Sequence, residues 1–461
     1  MASTYIDFEI QENIFSTDEG KKIFDEKSRI QRWLTIESTL AEAQAELGII
    51  PLEAAQEIKK MSMLDMLDLE KIKAEYKRSR NSLMPVVKVL SQQCENGYGE
   101  YVHYGVTTQD IIDTAQILEI KEVLNIVYRD SRKIENNLLM ITEKYCSVPM
   151  IGRTHGQHAL PITFGLKASI WLVELRRHIE RIKSLVTRIL VGQLSGPVGT
   201  FAAMEEKSQM VSDRTLKKLG LLCSPIAWHT ARDNICELST VFAMLTATMA
   251  KIANEVFQLS KTEILELRES PISKKAIDSS AMPHKLNPVL SQRIIVIARH
   301  VRVLSNVIME SMIHEGERDP RALWSEWLSI PQLCIYTVAS LDNMLGLMSG
   351  LQVHPDQMKL NLYRFKEYVS SEYLMIKLSK HIGKIQAQEK LHELMQRAHE
   401  GDISFREILL ADDAIGKFFD ADDLYILDNP EKYTGQSEVI VRAALAEIHS
   451  YRASDPEKLT I

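Results

Sequence analysis

The segment VTTQDIIDTAQILEIKEVLNIVYRDSRKIENNLLMITEKYCSV, from Val106 to Val148, runs for 43 residues without a glycine or a proline. Within it Ile117, Ile120, Leu124 and Val127 fall at alternating steps of three and four. That spacing puts apolar side chains on one face of an α-helix. Three more stretches share the property: 166–191 (26 residues), 226–270 (45) and 289–315 (27). At ~1.5 Å per residue they permit rods of about 40–65 Å. Ordinary globular helices hold ~10–14 residues, so rods this long are expected to pack side by side. The reading is all-α, with a central bundle of long helices.

Composition agrees. Glycine and proline number 19 + 14 = 33 of 461 residues, about 7%, against an average near ~12%. Sandwiches and α/β barrels need more turns than this supplies. Net charge is 55 − 62 = −7, which argues against nucleic acid as a partner. The five cysteines include no CxxC pair, so free thiols in a reducing compartment are expected, without a zinc site. The N-terminal stretch carries Asp7, Glu9 and Glu12, unlike a secretory signal. The longest uncharged runs, 189–204 and 327–341, are 16 and 15 residues, short of the ~20 needed to span a bilayer. A soluble, cytoplasmic protein with no membrane partner is expected.

Outside the rods the pattern changes. Trp33, Ile36, Leu40, Ala43 and Leu47 mark a helix that Gly48 and Pro51 stop. Three helical domains are expected: 1–105 with shorter helices, 106–350 with the rods, and 351–461 with shorter helices again.

Three polar loops interrupt the rods. The first, 103–110, reads His-Tyr-Gly-Val-Thr-Thr-Gln-Asp. Thr107 or Thr108 is a natural N-cap and Asp110 suits a first turn. Such a terminus either simply caps the helix or also binds a carboxylate through its free N–H groups. The second, 152–161, holds Arg153, Thr154, His155, Gln157 and His158. Two histidines three apart raise a metal, but no third ligand accompanies them. The third, 278–288, reads Asp-Ser-Ser-Ala-Met-Pro-His-Lys-Leu-Asn-Pro. Lys285 and Asn287 beside two serines suit a carboxylate; by composition the segment also reads as a surface linker.

Together, and in this order between long helices, the loops resemble the fumarase/aspartase superfamily. Its signature is Gly-Ser-Ser-x-Met-Pro-x-Lys-x-Asn-Pro. Residues 279–288 match it, with Asp278 at the leading glycine. His284 after Met-Pro, the Gly-Arg-Thr-His run at 152–155 and the Thr-Thr-Gln-Asp run at 107–110 look like the adenylosuccinate lyase and 3-carboxy-cis,cis-muconate cycloisomerase branch. The resemblance covers nearly the whole chain. It implies a homotetramer whose active sites draw on three subunits, with no cofactor and no metal.

The chemistry it implies is anti β-elimination from a succinyl-type group of a small di- or tricarboxylate. Ser279 is the implied base, with Ser280 beside it. An unperturbed serine is a poor base, so nearby cations and helix N–H groups must favour its alkoxide. The developing aci-carboxylate needs fixed donors. Lys285, Asn287, Thr107, Thr108 and Gln109 are the implied carboxylate ligands. Arg153 and Thr154 line the pocket, His155 is the acid for the leaving group, and His103 assists. Arg232 and Arg321 are further candidate cations.

Two departures argue against adenylosuccinate as substrate. The early Thr-Arg-His-Asp run of those lyases is replaced by Ser79-Arg80-Asn81-Ser82. Trp327 stands where they carry a phosphate-binding arginine, and an indole cannot replace a guanidinium there. The 228–233, 323–327 and 428–435 segments resemble the cycloisomerases, yet Leu286 replaces the arginine those enzymes place after the signature lysine. The sequence reads as a C–N lyase releasing fumarate. Cycloisomerase lactonisation is the alternative within the family, and a catalytically impaired structural homologue is the alternative outside enzymes.

Overall fold

The computed structural model describes residues 4–270, 282 and 284–459. Its first long helix, α1 (Glu26–Glu46), is capped by Asp25, whose carboxylate accepts from the Ser28 N–H. It ends at Gly48, which takes φ +68° as a left-handed C-terminal residue should.

Five longer helices make the bundle. They are α2 (Thr108–Lys144), α3 (Phe164–Ile189), α4 (Asp233–Leu259), α5 (Val289–Glu310) and α6 (Pro320–Ser349). They contact in a closed ring: α2 with α3, α3 with α4, α4 with α5, α5 with α6, and α6 with α2. Ile117, Ile120, Leu124 and Val127 of α2 lie in the core, as do Leu238, Phe242, Leu245 and Met249 of α4. Each such side chain stabilises the fold by roughly 1.5–3 kcal/mol through burial. The α4 helix is long and apolar enough to cross a membrane, yet most of its apolar surface is buried against its neighbours in the ring.

Two elements add to the sequence reading. The α6 helix runs through Pro331 without ending. A mid-helix proline removes one hydrogen bond and typically costs ~3 kcal/mol. Here Ile330, Leu333 and Cys334 are fully buried around it, and that packing offsets the loss. The second polar loop is a β-hairpin: β1 (Pro149–Thr154) pairs antiparallel with β2 (Gln157–Thr163). His155 (φ +51°) and Gly156 (φ +77°) form its two-residue turn, the conformation that fits the strand twist.

A second short pair, β3 (Leu267–Arg268) with β4 (Gln352–Val353), ties the end of α4 to the end of α6. Beyond it lie α7 (Pro355–Tyr363) and a separate C-terminal apolar cluster that includes Leu378, Leu394, Phe405 and Leu427. The last helix, α8 (Ser437–Ala453), returns to the bundle. Arg452 on it meets Glu135 of α2, and Asp455 just after it meets Arg176 and Lys183 of α3.

Candidate active site

The N-terminus of α2 is the best-built polar site in the described chain. Thr107 and Asp110 form a reciprocal capping box. Asp110 is fully buried and does more than cap. Its Oδ2 accepts from the Thr107 N–H (3.1 Å) and the Gly196 N–H (2.9 Å), and its Oδ1 meets His229 Nε2 at 2.8 Å. One carboxylate therefore fastens the 195–199 turn and the segment before α4 to the start of α2. Arg318, from the loop before α6, donates through Nη2 to Thr107 Oγ1 (3.0 Å) and to the Pro197 carbonyl (2.9 Å). The Thr108 hydroxyl makes no hydrogen bond among the described residues. With the first N–H groups of the helix it forms a donor set suited to a carboxylate.

His103 adds a titratable imidazole on the α1 side. Its Nδ1 lies 2.7 Å from Glu37 Oε1, and Glu37 is buried on α1. Burial alone would lower the His103 pKa, but the charge and hydrogen bond of Glu37 outweigh it and the net shift is upward. Gln44, also on α1, holds the loop backbone by donating to the Tyr104 carbonyl at 2.7 Å. Gly105 has φ +77°, a conformation that favours glycine, and a Cβ there would push on the Met204 side chain at 2.9 Å.

Beneath this surface sits a sealed ion network. Arg232 donates to Glu326 (2.9 and 2.6 Å) and to Asp113 (2.9 and 3.2 Å). All three side chains are buried. Burial opposes its charge, but the two carboxylates more than compensate and keep it a cation. Gln109 turns inward as well, donating to Asp113 Oδ2 and the His229 carbonyl, both at 3.0 Å. Arg232 and Gln109 were expected to touch substrate. In this arrangement both support α2 from below, because Asp113, one turn along the helix, gathers their donors.

The hairpin presents Thr154 and His155, both exposed, at its tip. Arg153 binds Glu266 through two bonds (2.9 and 2.7 Å), and Asn361 of α7 donates to the same carboxylate. Arg153 thus anchors the hairpin to the end of α4. His158 packs edge-on to Phe365 at 5.5 Å; burial, then Arg153, push its pKa down. Arg321 is exposed and paired with Glu315 and Asp319 on the same loop.

Ser279, Ser280 and Asp278 lie outside the described residues. Lys285 and Asn287 line a cavity of about 390 Å³ with Thr262, Arg268, Glu269 and Ser270. Among the described residues no group of three His, Cys, Asp or Glu side chains is placed to hold a metal ion.

Comparison with known proteins matches this arrangement to a family. A family profile described as "Lyase" fits residues 14–303, and one described as "Adenylosuccinate lyase C-terminus" fits 367–444. The chain belongs to the lyase family. It is an enzyme of the fumarase/aspartase superfamily, and its relatives fall on the branch that the three loops resemble. The N-acetyl-S-(2-succino)cysteine lyase of Dickeya dadantii is 37% identical over 95% of this chain and 96% of its own length. The adenylosuccinate lyase of Pyrococcus horikoshii is 36% identical over 94% and 96%. Among solved structures, the 3-carboxy-cis,cis-muconate lactonizing enzyme of Pseudomonas putida superposes with a TM-score of 0.87 at 29% identity, covering 95% and 98%.

Within this lyase the first loop and its supports converge. The hairpin does not join them in one chain: it follows α2, whose 37 residues separate the two by about 55 Å. The sequence reading missed Arg318, Glu37 and His229 as parts of the first cluster. Arg318 had a signal, a charged triplet just before a helix opening on Pro320, and His229 lay in the 228–233 segment already noted; Glu37 had none, since only tertiary packing brings it to residues 103–110.

Proposed function

We propose that this lyase cleaves a small S- or N-succinyl compound by anti β-elimination, releasing fumarate, and that a succinyl thioether is its substrate of choice. The observation that carries the reading is the carboxylate cradle at the α2 terminus, Thr107, Thr108 and Arg318, with the Glu37-held His103 beside it. The end-to-end similarity to N-acetyl-S-(2-succino)cysteine lyase turns the choice toward a C–S bond. A sulfur leaving group can depart as the thiolate, whose conjugate acid has a pKa near ~8.5, whereas an amine must first be protonated. Trp327 supports a substrate without a phosphate.

In the proposed reaction Ser279 takes the proton from the carbon next to one carboxylate. Lys285 and Asn287 stabilise the charge that accumulates on that carboxylate, and the α2 donors hold the other one. The C–S bond then breaks, the C=C bond of fumarate forms, and His155 protonates the departing sulfur. Loops on opposite ends of α2 reach one substrate only if different copies supply them. A homotetramer fits this. Val296, Val303 and Val307 stand exposed at helical spacing on α5, as do Trp324 and Leu328 on α6, apolar surface that an assembly of copies would cover.

The test is direct. Fumarate appearance is followed by ultraviolet absorbance with S-succinyl and N-succinyl substrates. Ser279→Ala is expected to lower kcat by roughly 10²–10⁴-fold with the oligomer intact. Unchanged activity in Ser279→Ala sinks the base assignment. Lactone formation from a carboxymuconate, with no fumarate from any succinyl compound, replaces the reading with the cycloisomerase. Inactivity on both classes overturns the succinyl-substrate reading.

A further inference from the structure

The cavity lined by Lys285 and Asn287 is also lined by a second cationic residue, Arg268, which has no partner among the described residues. Arg268 lies on β3, where pairing with Gln352 of β4 fixes its backbone. Its side chain is half-buried and makes no hydrogen bond or ion pair among the described residues. The carboxylates nearest in sequence are engaged elsewhere. Glu266 receives Arg153 and Asn361. Glu269 accepts from the N–H groups of Leu290 (3.0 Å) and Ser291 (2.8 Å) and so caps α5. Its charge is directed at the positive end of that helix.

Arg268 and Lys285 therefore face one space of about 390 Å³, the size of a small-ligand site. Thr262 and Ser270 lie on its wall, although the Ser270 hydroxyl donates to the Gly350 carbonyl. A succinyl group has two carboxylates, and the α2 terminus, Lys285 and Asn287 provide for them. A planar guanidinium beyond that set suits a further carboxylate, which it can grip through two parallel bonds.

We propose that Arg268 forms a subsite for a carboxylate on the leaving group, so that the substrate is a tricarboxylate whose departing thiol or amine is itself an acid. This rests on the lyase reading and narrows it to a substrate class. Arg268 is a specificity-determining residue in this scheme and takes no part in proton transfer.

The test uses the full-length enzyme and two thioethers with the same scissile bond. One carries a leaving group with a free carboxylate, the S-succinyl adduct of N-acetylcysteine. The other is its leaving-group amide. The wild type is expected to favour the acid over the amide by at least tenfold in kcat/KM. In Arg268→Gln the ratio is expected to fall toward one, and in Arg268→Lys to recover in part, since lysine restores the charge without the fork. A ratio near one in the wild type overturns the subsite. So does an Arg268→Gln variant in which both substrates slow by the same factor, because that is the mark of a structural role. If the wild type releases fumarate from neither thioether, nor from N-succinyl compounds, the lyase reading fails instead.

Discussion

Single residues here act through the charge they hold in place. Glu37 keeps the His103 pKa above its ordinary value against the pull of burial. Replacing it with glutamine removes the charge but keeps the shape. In Glu37→Gln the His103 pKa falls, so the cation persists over a narrower pH range. The alkaline limb of kcat/KM is expected to move to lower pH, and an unmoved limb would mean that Glu37 does not set the charge of His103. His178 on α3 shows the opposite sign. It is buried against Thr248 at 2.8 Å, and burial, then Arg181, bring its pKa down to about 4. The unfolded chain binds that proton near 6.5 and the folded chain does not. Stability from this group is complete above pH ~6.5 and is lost as pH falls toward 4, by up to roughly 3 kcal/mol. Denaturant midpoints measured at pH 7 and pH 4.5 should differ less for His178→Gln than for the wild type.

At the scale of elements, the Arg232 network joins the starts of α2, α4 and α6. Removing its cation leaves Asp113 and Glu326 buried together. Arg232→Met is expected to destabilise the fold by about 3–5 kcal/mol, read as a lowered thermal midpoint. A loss below ~1 kcal/mol would show that water or a rearranged side chain neutralises the pair. The rods were legible because the 106–148, 166–191, 226–270 and 289–315 stretches lack helix breakers, and each contains one of α2 to α5 or all but its first residues. α6 lies inside the 106–350 rod zone but was not marked out as a rod of its own, since Pro331 interrupts its run; burial of Ile330, Leu333 and Cys334 carries the helix past that proline. The hairpin was hidden because His155 at positive φ is an uncommon turn residue, so the polar 152–161 stretch read as a loop. Thr107 and Asp110 were legible as a cap because that rule is local. The inward turn of Gln109 and Arg232 was not, because it depends on Asp113 and Glu326 arriving from elsewhere in the chain.

At the scale of the whole molecule, the length of α2 governs how a site can be completed. Thr107 stands at one end of a rod of about 55 Å and the Thr154–His155 tip lies just past the other. Arg153 bound to Glu266 holds that tip at the end of α4, two residues from Arg268. The rod keeps Thr107 of the same chain away from that end, and in the proposed tetramer, as the family resemblance implies, a substrate on one chain's Thr107 meets His155 and Ser279 supplied by two other chains. This makes a quantitative prediction. His155→Ala and Ser279→Ala homotetramers are each inactive under the proposal. When they are mixed in equal amounts, unfolded and refolded together, subunits assort at random. A site is then complete when the chain supplying position 155 retains its histidine and the chain supplying position 279 retains its serine. Each condition holds half the time, so about a quarter of sites should be restored. Fumarate release near that fraction of wild type supports a site built from separate chains. A refolded mixture of normal size with no activity would place both groups on the same chain and overturn the three-subunit site.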